Sequence, residues 1–543
     1  MQHPSKSTRG AARLCNRQRR TLAAGLLLAF TLCSGAARAQ WLWSSNGQPA
    51  PGVMTLLESM RNAEDRGLDP ADYDTQRLGS LLAQARAARD PRDAASPSAS
   101  ASDAWGQFDR AMSLNAGRFV SDLHFGRIDP ATIGHHLTID RVALDLPATL
   151  RALAAAPSVA ALLDGLEPGF EHFALLKAHL ARYRELARDP SLTRLPSLPA
   201  HKLGSLESYE GAAPLERLLS ALGDWPSAAP DPVPHPVALS QALRRFQRRH
   251  GLKPDGTLGA STFAELTRPL SARVRQIELT LERFRWLPHK LPSAPIVVNI
   301  PQFHLYAFAS ANDIEQGLVQ MDVIVGKAFQ ATQTPVFTAD MSYLVFRPYW
   351  DVPIDIARKE IVPAARRDPS SLERNHLEIV RAYDAPADAA LPPSAANLDL
   401  AAHGVLRIRQ RPGPDNALGL VKFMLPNPYD VYLHSTPAKA LFEQSRRAFS
   451  HGCVRVSDPV GLAQYVLRDS PQWNRERILT AMNGSQSLVV HLPHPIRVYI
   501  VYGTALATEP GDLLFFDDIY GQDERLEQAL RARRAATAGA PSL

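Results

Sequence analysis

Tyr432-Leu-His-Ser-Thr-Pro437 reads as a strand running into a turn, and Phe449-Ser-His-Gly-Cys-Val-Arg-Val456 brings a thiol up behind a glycine. A thiol becomes a nucleophile when a base takes its proton and donors hold the oxyanion formed by its attack. Gly452 permits close backbone approach at Cys453, and an apolar helical pattern, Leu462 to Leu467, follows. A turn leading toward that helix is expected to aim N–H groups at the sulfur and lower its pKa. His434, nineteen positions upstream at a strand end, is the natural base. His451 either assists or only shapes the turn. His434, His451 and Cys453 as three zinc ligands is the competing reading, but the chain has no HExxH and no CxxC.

The thiol's setting sharpens this. The chain holds three cysteines: Cys15, Cys33 and Cys453. The first two lie in a segment that reads as an export leader, with arginines through Arg20, an apolar run Leu22–Cys33 and the small-x-small pattern Ala37-Arg38-Ala39. Cleavage is expected before Gln40, leaving one thiol in an oxidising compartment, where an idle thiol is a liability. The leader also disposes of a nucleic-acid reading. The net charge is +6, from 60 basic and 54 acidic residues. Seven of the basic residues (Lys6, Arg9, Arg13, Arg17, Arg19, Arg20 and Arg38) fall in the leader, so the remainder carries 53 against 54. No apolar run is long enough to span a bilayer.

Working outward, β-branched and aromatic runs predict strands at Ile296–Ile300, Phe303–Phe308, Met321–Val325, Leu406–Ile408, Val431–Leu433 and Val498–Tyr502. Their spread suggests one sheet-rich domain closing on itself, interrupted by a more helical, polar segment able to cover a cleft. Upstream, helical stripes recur at 53–90, Phe108–Leu123 and Phe170–Leu186, and an Ala/Ser/Pro-rich stretch, Pro91 to Ser102, predicts a loop. Between them and the strands, three short helices are expected over Leu215–Leu266. The first ends at Gly223 and the second at Gly251, and Thr262-Phe-Ala-Glu265 reads as a capping box opening the third.

Phe246-Gln-Arg-Arg-His-Gly-Leu252 with Asp255-Gly-Thr-Leu-Gly259 resembles the three-helix peptidoglycan-binding module. His434 together with Ser450-His-Gly-Cys-Val-Arg455 resembles the L,D-transpeptidases, whose YkuD-type domain carries a His followed by Ser/Thr-x-Gly-Cys-x-Arg. Phe119-Val-Ser-Asp-Leu-His-Phe-Gly-Arg-Ile-Asp-Pro130 and Glu282-Arg-Phe-Arg-Trp-Leu-Pro288 are similar to the large periplasmic members.

The resemblance implies an α+β multidomain chain: signal peptide 1–39, helical scaffold 40–205, peptidoglycan-binding-like domain 206–270, a β-rich catalytic domain 294–505 with an insertion at about 354–400, and a C-terminal tail 506–543. It further implies that Cys453 attacks the carbonyl between the third stem residue and its terminal D-Ala. A thioester forms, and an amine of a second stem resolves it into a 3→3 cross-link. His434 moves the proton. Gly452, Ser435 and His451 support the loop and oxyanion, while Arg455, Tyr432 and Trp350 meet the substrate side, ordering of the loop being the alternative for Arg455 and core packing for the two aromatics. Many members have Gly where this chain has Ser435. Implied partners are stem peptides, glycan strands and other cell-wall synthases, with no nucleic acid, no cofactor and no metal. An L,D-carboxypeptidase or cross-link hydrolase with the same pair, or an idle wall-binding scaffold, are the alternatives.

The module is expected to offer Arg244, Arg248 and Phe246 to glycan.

Overall fold

The computed structural model describes residues 41–88, 99–138, 143–198, 209–225, 235–291, 293–310, 317–386, 389–509 and 511–538. The expected leader, residues 91–98 of the Ala/Ser/Pro stretch and the Pro-rich segment 226–234 lie outside the described residues. A helix, Ala99–Phe125, begins inside the stretch expected as a loop.

Alternation of apolar residues builds the sheet that carries the site. Ile296 and Val298, Leu305 and Ala307, Val323 and Val325, and Leu344 and Phe346 all turn inward and are buried. Side chains alternate across a strand, so each of these pairs commits one face to the core. The strand Ile296–Asn299 pairs with His304–Phe308 on one side and Leu488–Val501 on the other. The ladder continues through Gly317–Gly326, Val454–Val456, Leu433–His434 and Val421–Met424. It closes because Val336–Phe346 pairs with both Leu488–Val501 and Val421–Met424. Closure removes the open edges that a sheet would otherwise expose. The strands Val336–Phe346, Val421–Met424 and Val454–Val456 were not among those expected. Helices Pro459–Val466 and Arg475–Asn483 add Leu462, Val466, Ile478 and Met482 to the same core.

Between Phe346 and Val421 the chain leaves the barrel and folds around a separate core of Val362, Ala365, Leu372, Ile379, Leu398 and Ile408. A three-stranded sheet of Trp350–Asp351, Arg407–Gln410 and Leu377–Val380 backs it. The insertion is thus wider than 354–400 and contains strands as well as helices. Its anchor is Arg409, buried against Glu378 and donating to the carbonyls of Tyr383, Ala385 and Pro386.

The first helical core gathers Val53, Leu56, Leu78, Phe108, Phe119 and Leu153 among others. The helix Glu171–Ala187 instead packs its Phe173, Leu176 and Leu180 with the unit formed by Ala212–Leu222, His235–Arg249 and Ala260–Leu266. Gly223 ends the first helix of that unit at φ +85°, a conformation glycine adopts without strain. The third helix starts after Gly259, so Thr262 is not its cap. Its hydroxyl is buried and accepts from Gln247 Nε2 at 3.1 Å. Phe246 is likewise a core residue, stacked on His250, while Arg244, Arg245 and Arg248 are among the exposed side chains of that helix.

The expectation of a C-terminal tail from 506 is corrected. The hairpin Ala505–Glu509 and Asp512–Phe515 buries Ala507, Leu513 and Phe515 in the core of the three-helix unit. The helix Gln522–Ala538 sets Leu526 and Leu530 against Ile128, Leu279 and Trp286. Arg533 Nη2 reaches both oxygens of buried Asp122, at 2.7 and 2.9 Å. The sequence misled here because the helix is charged on most faces and its apolar contacts are few.

A chain ending after Gly521 is expected to lose stability sharply. It strips the partner from a buried carboxylate, a loss of about 3–5 kcal/mol for such a pair. A calorimetric unfolding midpoint unchanged from the full chain would refute this.

Candidate active site

Leu433 and Val454 are register partners on parallel strands, and both point into the barrel core. Alternation therefore sends Tyr432, His434, Cys453 and Arg455 to the opposite face. Antiparallel pairing adds Lys422 opposite His434. The result is a row of Lys422, His434 and Arg455 across three strands, with Tyr432 and Cys453 two residues along. Val454 N donates to Tyr432 O at 3.0 Å, which fixes the register where the thiol emerges.

The loop before Cys453 is held from both sides. Ser450 Oγ donates to Cys453 O at 2.6 Å and accepts from Gly452 N at 3.1 Å. Thr334 Oγ1 donates to Gly452 O at 2.8 Å, and Thr334 N donates to Tyr520 Oη. Gly452 has φ +121°, where an L side chain is strained.

His434 is buried, and its Nδ1–H donates to Ser435 O at 2.5 Å. A carbonyl only accepts, so Nε2 carries the lone pair in the neutral ring. The Cys453 thiol is half-buried and donates to Asp430 O at 3.5 Å, with the Tyr432 side chain also hydrogen-bonded to it. No hydrogen bond joins the sulfur to His434 among the described residues. Such bonds often form only when substrate is in place.

The electrostatics correct the expectation of an activated thiolate. Cys453 precedes a strand, and the next helix begins only at Pro459, so the helix that follows does not bring its N-terminus to the sulfur. Burial pushes the thiol up to about 11, against the opposing pull of Tyr432 and Arg455. Burial, then the Arg455 guanidinium and more weakly Lys422, push His434 down to about 3, against the Ser435 and Leu418 carbonyls. At neutral pH the pair is therefore thiol and neutral imidazole.

The remaining expected residues separate. Ser435 contributes its carbonyl to His434, while its N–H donates to Val421 O. The Gly452 N–H is occupied by Ser450, which removes it from an oxyanion hole in this state. His451 is exposed and meets Glu360 Oε1 of the insertion at 3.0 Å, so it links loop to insertion and caps no turn. Trp350 packs on the core of the insertion. Its neighbour Asp351 interacts electrostatically with Lys422 and Tyr432. Thr334, Lys422, Asp351 and Glu360 went unread, and Ser450 was read only as part of the motif, without its hold on the turn. Only Ser450 left a signal, in the Ser-x-Gly spacing of a side-chain-closed turn.

Residues 294–479 match the family model described as "L,D-transpeptidase catalytic domain". Residues 210–266 match "Putative peptidoglycan binding domain", and residues 36–180 match "Scaffold domain". A curated protein of Haemophilus influenzae named "Putative L,D-transpeptidase" is 30% identical over 234 residues, 43% of this chain and 45% of that protein. The chain thus spans less than half the length of that relative. It is a multidomain protein with a β-rich L,D-transpeptidase catalytic domain of the YkuD type and a helical peptidoglycan-binding module.

Proposed function

We propose that the chain is a peptidoglycan L,D-transpeptidase that forms 3→3 cross-links through a thioester on Cys453. The observation that carries this reading is that Cys453, one residue before the strand Val454–Val456, emerges beside the parallel strand that carries His434, inside the segment that matches the catalytic domain. The proton on Nδ1 is fixed by Ser435 O, leaving Nε2 as acceptor.

In the first step the Cys453 Sγ–C bond forms at the carbonyl preceding terminal D-Ala, and the thiol proton passes to His434 Nε2. The carbonyl π pair moves to oxygen. The tetrahedral centre then collapses, the C–N bond breaks, and His434 returns the proton to the D-Ala amine. In the second step an amine of another stem attacks the thioester carbonyl and gives a proton to His434, the C–S bond breaks, and His434 returns that proton to the departing sulfur. Because the cleaved peptide bond supplies the energy for coupling, no nucleotide is consumed. The Cys453 N–H is the donor proposed for the oxyanion. Arg455 lies beside the pair, suited to a substrate carboxylate.

The proposed setting is outside the cytoplasm, with residues 1–39 as a cleaved leader and the module docking glycan strands through Arg244, Arg245 and Arg248. Other cell-wall synthases are proposed partners. Incubation with purified tetrapeptide stems tests the reaction. Cross-linked dimers with free D-Ala are the expected products; tripeptides alone would mean water is the acceptor, and unchanged stems would overturn the reading.

A chain with Arg244, Arg245 and Arg248 all changed to Ala is expected to bind isolated cell walls several-fold more weakly while Cys453 still accepts a small acyl donor. Equal sedimentation with walls would remove these arginines from binding.

A further inference from the structure

Lys422 stands on the same face as the pair and has no role in the steps above. Its strand places it in register with His434, so the imidazole lies between Lys422 on one side and Arg455 on the other. The side chain runs forward over Tyr432, with Nζ 5.9 Å from the ring centroid, and Tyr432 is hydrogen-bonded to the thiol. Lys422 is half-buried and interacts electrostatically with both Asp351 and Cys453.

A half-buried ammonium usually sits in a salt bridge, because leaving water is costly. Lys422 forms none among the described residues. Its counter-charge, Asp351, lies at the root of the insertion, and Asp351 Oδ1 has no hydrogen-bond partner. The ammonium is thus kept in the cleft by a charge that does not lock it. Anionic charge gathering on sulfur during attack would meet an uncommitted cation.

We propose that Lys422 is a positioning residue for acylation, its ammonium standing beside the Cys453 sulfur as negative charge builds there. This rests on the reading of Cys453 as nucleophile. The other groups facing the sulfur are Tyr432, Arg455, Asp430 and His434. Asp430 opposes the effect, and Arg455 supplies the second cation. Burial lowers the pKa of Lys422 below the usual lysine value, so its charge is lost on the alkaline side earlier than an ordinary lysine's.

The test follows Cys453 by intact mass in the full chain, with a small acyl donor and separately with iodoacetamide, from pH 6 to 10. Lys422→Met should slow both reactions about tenfold at pH 7.5, and Lys422→Arg should recover to within about threefold of the parent. The parent's acylation rate should fall off on the alkaline side as the ammonium is lost, and Lys422→Arg, whose charge persists, should show no such limb. Should Lys422→Met fail to fold, Lys422→Gln serves the same comparison. Equal rates in the neutral and the Arg variants, or an alkaline limb that persists in Lys422→Arg, would overturn the proposal. A parent chain that iodoacetamide modifies with the stated dependence, but no acyl donor labels, would sink the transpeptidase reading and leave the charge effect standing.

Discussion

Cys453→Ser is expected to reduce acylation by a small acyl donor to background, and His434→Ala to slow it by about 10²–10⁴-fold, the usual range for loss of a general base. The serine hydroxyl is a far weaker acid than a thiol, so the same imidazole cannot prepare it for attack. The pH profiles separate mechanism from mere loss. His434 gains a proton only near 3 and Cys453 loses one only near 11. Between about pH 5 and 8 neither partner titrates, and the rate should stay nearly level. Below that window His434 charges and activity falls. In His434→Ala the proton must leave to solvent, so the residual rate should climb about tenfold per pH unit through the same range. A parent rate that rises through pH 6.5 as an ordinary histidine titrates would contradict the buried neutral pair. Full activity of His434→Ala would remove the residue from the mechanism.

What the sequence could reveal of this site follows from how each residue gets there. Cys453, Gly452 and His434 sit in two short runs whose side-chain chemistry is unusual, and strand alternation near Leu433 was visible in Val431–Leu433. Lys422 and Arg455 reach His434 only through cross-strand register, and register depends on pairings between segments far apart in the chain. The strand Val454–Val456 is three residues long, too short for periodicity to mark. That short strand is why the expected helix N-terminus at Cys453, and with it a lowered thiol pKa, failed. The tail misread has the same origin at larger scale. Tyr520 reaches Gly326 O and Thr334 behind the Cys453 loop across nearly two hundred residues, a contact that no local pattern announces. The α+β organisation, by contrast, rests on long alternating and helical stripes, and those are local.

The second large effect is expected at a residue that touches no substrate. Gly419→Ala should cut acylation about 10²-fold. Gly419 adopts φ +63°, and a Cβ there would lie 2.5 Å from Ser435 Oγ and 2.7 Å from Thr436 N. The hydroxyl is buried, and Thr436 N is backbone, so neither contact is relieved by swinging a flexible side chain into solvent. The Ser435–Thr436 segment has to move, and Ser435 O is the group that holds His434 Nδ1. A shift of about 1 Å in a reacting group costs on the order of 10²-fold, while the left-handed backbone strain adds about 1–2 kcal/mol of destabilisation. Gly413, in the same loop, is the control. A Cβ there meets nothing closer than Arg411 O at 4.0 Å, and Gly413→Ala should acylate at the parent rate. Because the Cys453 loop is held independently by Ser450 and Thr334, the thiol of Gly419→Ala should still emerge in its native place. Near-parent acylation by Gly419→Ala, in a folded protein, would show that the Ser435 carbonyl does not govern the imidazole.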